Sequence, residues 1–203
     1  MNYLISAVIG YLLGSIPTAF LLLKKTQNKD ITRLGSGNIG AMNTYDVTNS
    51  KFLGILVFII DAFKGLLSVY VTLLVLPVSF IFPAIALIFA VVGHNYNPWL
   101  KFKGGRGLST AFGGTMLLAP YIPAIWILFW ALAFLINRNV IIDNTFAIIF
   151  TLLTLFLGVD KIYNLPYLLK ADSPGLLLLF ASSLLLILFI KHTEPLNDLK
   201  KFE

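Results

Sequence analysis

Two stretches of this chain combine backbone freedom with polar or cationic side chains, which is the combination that grips anions. The first runs Gly35-Ser36-Gly37-Asn38-Ile39-Gly40-Ala41-Met42-Asn43 and fits G-x-G-x-x-G, with Asp61 roughly where a ribose-binding acid is sought in dinucleotide folds. That reading fails on context. The fingerprint needs a preceding strand in a βαβ unit, whereas this loop follows an apolar helix and Asp61 lies inside another apolar run. The mechanics survive: glycines let backbone N–H groups converge, and such a nest holds a phosphate without a charged side chain. A sharp turn capped by Asn and Ser is the competing reading.

The second stretch, Gly93-His94-Asn95-Tyr96-Asn97-Pro98-Trp99-Leu100-Lys101-Phe102-Lys103-Gly104-Gly105-Arg106-Gly107-Leu108-Ser109-Thr110, joins a diglycine, three cations and a helix start near Ser109. Cations on such a loop also serve simply as topology signals. Glycines beside Lys103 and Arg106 tip the reading toward phosphate binding, because flexible backbone next to fixed cations suits an anion. Gly37, Asn38, Gly104 and Gly105 are the expected phosphate cradle, since small residues let two backbones approach one anion. Asp61 and Lys64 stand one helical turn apart inside an apolar run, so they are expected to neutralise each other as a structural ion pair.

The elements that must position these loops are membrane helices. Of the 203 residues, 58% are hydrophobic and 12% charged, against about 45–50% and about 25% in soluble domains. Apolar runs at Tyr3–Leu23, Phe52–Leu76, Ser79–Val92, Leu108–Ala119, Tyr121–Ile136, Val140–Leu157 and Gly175–Ile190 predict seven transmembrane helices in a single all-α domain over residues 1–203. The prolines in Ala119–Pro120–Tyr121–Ile122–Pro123 are read as a turn between two spans rather than a kink in one. Charge supports that choice. With seven spans and the N-terminus outside, Lys24, Lys25, Lys29, Arg33, Lys51, Lys101, Lys103, Arg106, Arg138, Lys191, Lys200 and Lys201 share one side, and Lys161 and Lys170 take the other. The positive-inside rule makes the first side, and the C-terminus, cytoplasmic. Lys24 and Lys25 follow the first apolar run and no cation precedes it, so it is expected to remain as an anchor. The absence of cysteine excludes disulfides, thiolate chemistry and zinc–cysteine sites, and the net charge of +6 suits anionic lipid or phosphorylated substrates. The external Gly158–Pro174 segment reads as a connector.

Gly10–Pro17, Gly35–Asn43, Asp61–Gly65 and Gly93–Thr110, in that order and spacing, resemble the bacterial acyl-phosphate:glycerol-3-phosphate acyltransferase family, small seven-helix enzymes of phospholipid synthesis. The resemblance implies that the 1-hydroxyl of glycerol 3-phosphate attacks a fatty acyl-phosphate to give lysophosphatidic acid and phosphate. It implies Arg106, His192 and Asn43 as catalytic residues, and Ser36, Gly37, Asn38, Gly40, His94, Lys103, Gly104, Gly105 and Arg106 as substrate-binding ones. It implies no cofactor or metal, membrane lipids but no nucleic acid as partners, and the bacterial cytoplasmic membrane as location. An acyl-phosphate is already activated, so positioning and charge stabilisation suffice without an acyl-enzyme. The other acyltransferase class, with histidine as base in His-x-x-x-x-Asp, is excluded: Trp99 follows His94 at that spacing, and Asn197 follows His192.

The chain departs from the family pattern at the acceptor end. Asp46 replaces an arginine, Arg106 a lysine, Ile141 and Asn144 serines, and Pro195 an asparagine. A cation turned into a carboxylate beside a phosphate reverses an attraction of about 1–3 kcal/mol. Two other readings therefore stand beside the first: a related enzyme with another hydroxyl acceptor, and a non-catalytic lipid-binding or transport protein. A transporter would show paired inverted repeats with matching broken helices, and none is visible.

Overall fold

The computed structural model of the chain describes residues 1–199, with side chains through Glu194. Lys200, Lys201 and the side chains of Pro195 and Asn197 lie outside the described residues. The described residues are all helical and irregular, without strands. Nine α-helices follow one another: α1 Asn2–Gly14, α2 Thr18–Gln27, α3 Ala41–Thr48, α4 Lys51–Val75, α5 Ile81–Asn95, α6 Leu108–Leu118, α7 Tyr121–Asn137, α8 Val140–Tyr163 and α9 Pro174–Leu199. Five stretches are long and apolar enough to cross a membrane: Asn2–Gln27, Lys51–Val75, Ile81–Leu100, Val140–Tyr163 and Pro174–Glu194. α6 and α7 are apolar but shorter.

The first apolar run is broken where one helix was expected. Pro17 has no N–H to continue the ladder, and the chain restarts as α2 at Thr18 after a turn through Ser15 and Ile16. Ala119 and Pro120 make the turn between α6 and α7, and Pro123 sits in the first turn of α7, where a missing N–H costs nothing. The loop after α2 carries a helix that hydropathy did not indicate, α3, because its eight residues mix polar and apolar types.

Small residues bring the helices together. A Cβ on Gly10 or Gly14 would run into the backbone of Ala86 or Ala90, and one on Gly93 into the Tyr11 carbonyl, so α1 and α5 touch main chain to main chain. Gly65 against Thr110 and Gly113 against Ala62 do the same for α4 and α6. Elsewhere larger side chains fill the core: Leu87, Leu118, Ile148, Leu155 and Leu184 are buried, and Phe80 meets Phe180 edge to face at 5.5 Å. The outer surface is apolar too, with Leu74, Leu135 and Ile136 more than 60% exposed, as a surface solvated by lipid requires. A second cluster, Ala19, Leu23, Ile31, Ile39 and Val57, packs under the first glycine loop and fixes it to α2 and α4.

Candidate active site

The first loop is organised by one side chain. Asn43, in the first turn of α3, is buried; its Oδ1 accepts from the Ser36 N–H at 2.9 Å, and its Nδ2 donates to the carbonyls of Leu34 at 3.0 Å and Asn38 at 2.8 Å. The chain can wrap round this amide because Gly35 and Gly37 adopt φ of 58° and 71°, and a Cβ on Gly35 would collide with Asn43 Oδ1. The Gly37 N–H donates to Leu34 O at 3.0 Å and the Gly40 N–H to Asn38 Oδ1 at 2.8 Å. The Ser36, Gly37 and Gly40 amides are thus used inside the loop. Those left for an anion include the start of α3: its first N–H groups have no partner within the helix, and Gly40 caps it without a side chain.

The second loop uses its glycines differently. The Gly105 N–H donates to His94 O at 3.1 Å, a Cβ on Gly105 would meet His94 Nε2, and one on Gly104 would meet the carbonyls of His94 and Asn95. Both glycines therefore seat the loop on the end of α5. Gly107, at φ 80°, turns the chain into α6. Between them Arg106 projects, half-buried; burial lowers its pKa and the Glu194 carboxylate opposes that shift.

The loops face each other across a cavity of about 580 Å³. Ser36, Asn38, Gly40, Asn43 and Asp46 line it from the first loop and α3, Asp61 from α4, His94 from α5, and Arg106 and Ser109 from the second loop and α6. Arg138, Asn139, Ile141 and Asn144 add the α7–α8 corner, His192 adds α9, and Trp126 and Trp130 form an apolar side on α7. Of the residues expected at the site, Gly37, Lys103, Gly104 and Gly105 are not on this wall, and Lys103 is exposed on the outer side of its loop. The sequence reading missed the two tryptophans and the start of α3; Gly40 ahead of a short Ala-Met-Asn-Thr run was the available signal for the latter.

Charge in the cavity is uneven. Asp61 Oδ1 lies 2.9 Å from Lys64 Nζ in a buried ion pair, yet neither carboxylate oxygen has hydrogen-bond geometry to a partner. Lys64 Nζ instead donates to Ile16 O at 3.0 Å, and His94 Nδ1 stands 3.9 Å from Asp61 Oδ1. Arg106 and Arg138 bring two guanidinium groups, and among the described residues Asp46 has no cation within ion-pair distance. His192 is buried with Nδ1 2.8 Å from Leu188 O; a carbonyl only accepts, so Nδ1 carries the proton and the Nε2 lone pair is left for a ligand. Asp143, behind Asn144, is fully buried with both oxygens unpartnered. A helix start, two arginines, a histidine acceptor and an apolar tryptophan side make a pocket for a phosphorylated, partly apolar substrate.

A family model described as Glycerol-3-phosphate acyltransferase matches residues 4–201. The chain belongs to that family. A Glycerol-3-phosphate acyltransferase of Pelagibacter ubique is 42% identical over 141 residues, which cover 68% of this chain and 70% of that protein. One from Helicobacter pylori is 37% identical over 132 residues, 62% of this chain; the match spans only 60% of the Helicobacter protein. Among solved structures, PlsY, an integral membrane glycerol 3-phosphate acyltransferase, matches in its glycerol 3-phosphate form with a TM-score of 0.79 and 28% identity, over 99% of this chain and 93% of that one. Its lysophosphatidic acid form matches with a TM-score of 0.77 and 27% identity. Like that neighbour, this family member is a multi-pass membrane protein.

Proposed function

We propose that this chain moves a fatty acyl group from acyl-phosphate to the 1-hydroxyl of glycerol 3-phosphate, releasing lysophosphatidic acid and inorganic phosphate in phospholipid synthesis. The observation that carries the reading is one cavity that joins the start of α3 to Arg106 and Arg138. Family membership and the PlsY forms with glycerol 3-phosphate and lysophosphatidic acid support it.

The α3 N-terminus holds the phosphate of the donor, where N–H groups and the helix dipole favour negative charge. Asn43 acts through the loop it ties together. Arg106 grips the phosphate of the acceptor with its planar fork, and His192 Nε2 takes a hydrogen bond from an acceptor hydroxyl. The hydroxyl oxygen bonds to the acyl carbon, the bond from that carbon to the phosphate oxygen breaks, and the proton leaves with the departing phosphate. No acyl-enzyme is needed, because the donor is a mixed anhydride and the work is positioning.

We further propose seven membrane passes in the bacterial cytoplasmic membrane, with the N-terminus outside and the C-terminus inside. The loops after α2, α5 and α7 and the end of α9 meet at one cavity, so α4–α5, α6–α7 and α8–α9 each leave and return. Lys24, Lys25, Lys29, Arg33, Lys51, Lys101, Lys103, Arg106, Arg138 and Lys191 belong to that same end, against Lys161 and Lys170 at the other. A cysteine placed at Ser50 should resist an impermeant thiol reagent added to intact cells; labelling would overturn the orientation.

A second reading is favoured by one observation: among the described residues Asp46 lines the cavity with no cation within ion-pair distance, and Ile141 and Asn144 line the same cavity. It makes the acceptor a different alcohol. Purified protein given acyl-phosphate and glycerol 3-phosphate should release phosphate and form lysophosphatidic acid. Should the protein ignore glycerol 3-phosphate and acylate another alcohol, the second reading replaces the first.

A further inference from the structure

The break in the first apolar run leaves the Ser15 and Ile16 carbonyls in the turn between α1 and α2, outside the helical ladders, with Ile16 O taking the Thr18 N–H at 3.0 Å. Two buried side chains from distant parts of the chain donate to them. Asn97 Nδ2 donates to Ser15 O at 2.6 Å, across 82 residues, and Lys64 Nζ donates to Ile16 O at 3.0 Å. Each donor leads to the segment that carries Arg106. Asn97 Oδ1 accepts from the Trp99 N–H at 3.1 Å, and its carbonyl accepts from Leu100 at 3.2 Å and Phe102 at 2.8 Å, so the turn leading to Gly104 is built outward from this residue. Lys64 holds Asp61, which stands beside His94, and the His94 carbonyl takes the Gly105 N–H.

We propose that Lys64 and Asn97 are positioning residues that register the Arg106 segment against the broken first helix and so set where the acceptor phosphate is held. This rests on the reading of Arg106 given above. The break is therefore a socket: carbonyls just past a helix end carry partial negative charge and receive an ammonium and an amide. Trp99 Nε1 to Ser15 Oγ at 3.2 Å and Tyr11 Oη to Tyr96 O at 3.2 Å join the same elements from less buried positions. They do not replace either donor at the carbonyls.

The test uses the full chain in lipid vesicles, with Asn97→Ala, the double variant Asp61→Asn/Lys64→Met, and Trp99→Phe, which keeps Asn97 and its turn. The double variant removes both charges together and so avoids stranding one of them in the interior. For Asn97→Ala and for the double variant we expect KM for glycerol 3-phosphate to rise, or kcat to fall, about 10- to 100-fold, because small misplacements at a reacting site cost that much. KM for acyl-phosphate should stay within about twofold, since the α3 start is held by other bonds. Trp99→Phe should have the smallest effect. A nitroxide on Lys103→Cys, the sole thiol in the chain, should become more mobile in Asn97→Ala; this readout needs no turnover. Unchanged KM values and unchanged label mobility in folded Asn97→Ala would overturn the proposal, as would a rise of both KM values in step with a loss of melting temperature. If the double variant does not fold, Asn97→Ala decides alone. If the wild type does not acylate glycerol 3-phosphate, the acceptor reading fails, and label mobility still judges the anchoring.

Discussion

In the first glycine loop, Gly35 and Gly37 turn the backbone through left-handed conformations around Asn43; in the second, Gly104 and Gly105 lie flat against the end of α5 because nothing larger fits. The two sequences look alike as glycine-rich, polar, helix-flanked loops, yet one needs glycine for its dihedral angles and the other for its missing Cβ. The first loop ends in a helix start that faces the cavity, while the second ends in a side chain, Arg106. On the proposed reading, one binds through backbone N–H groups and the other through a guanidinium. Glycine content alone does not reveal which kind of contact a loop will make.

This contrast can be broken most sharply at Gly105. An alanine there must displace His94, which lines the cavity, so we expect Gly105→Ala to lower kcat/KM by more than about 100-fold and stability by about 1–3 kcal/mol. Turnover and a thermal melt would show both losses. Loss of turnover without loss of stability would mean that Gly105 touches substrate rather than α5. Next in size is Arg106→Ala, which removes a charge-assisted grip and should abolish acceptor use to within about 1% of wild type, with Arg106→Lys recovering only part. A full recovery by lysine would show that charge, not the planar fork, is what matters.

Asn43→Ala sharpens the other side of the comparison. It deletes three hydrogen bonds at a buried amide, and we expect turnover to fall about 10- to 100-fold with KM for acyl-phosphate raised more than KM for the acceptor. The reverse pattern would move the donor away from the first loop. The smallest effect is expected at Asp46, which is exposed at the cavity mouth. Asp46→Arg should lower KM for glycerol 3-phosphate by a few-fold, about tenfold at most, and the gain should shrink as salt is raised. Loss of activity in Asp46→Arg would make the carboxylate a working part of the site.

The long apolar helices were legible in the sequence because a lipid-facing surface must be apolar throughout, and hydropathy alone reports it. The turn at Ala119–Pro120 was legible from its prolines. The break at Ser15–Pro17 was not, since apolar residues continue on both sides and Pro17 is compatible with the first turn of a new helix. The resemblance named the Asn43, Arg106 and His192 positions, but residue type could not say that the Asn43 amide bonds to Ser36, Leu34 and Asn38 within its own loop. Lys103 and Arg106 look equivalent on paper, yet the packing of Gly105 on His94 turns Arg106 inward and leaves Lys103 outside. Asn97 lay inside the second stretch, but its anchoring role was not legible, because its partner at Ser15 is 82 residues away.

The glycine–alanine contact between α1 and α5 also sets a clock face. Ala86 and Ala90 lie on Gly10 and Gly14, and Gly93 lies on Tyr11, so the azimuth of α5 is fixed just before it delivers His94, Asn95 and Asn97. One residue inserted between Ala90 and Gly93 would turn everything beyond it by about 100° and advance it by about 1.5 Å. His94 would swing away from Asp61, and Asn97 would no longer meet the end of α1. The helix can therefore absorb changes in what its outer face carries, but not in how many residues it counts before the loop.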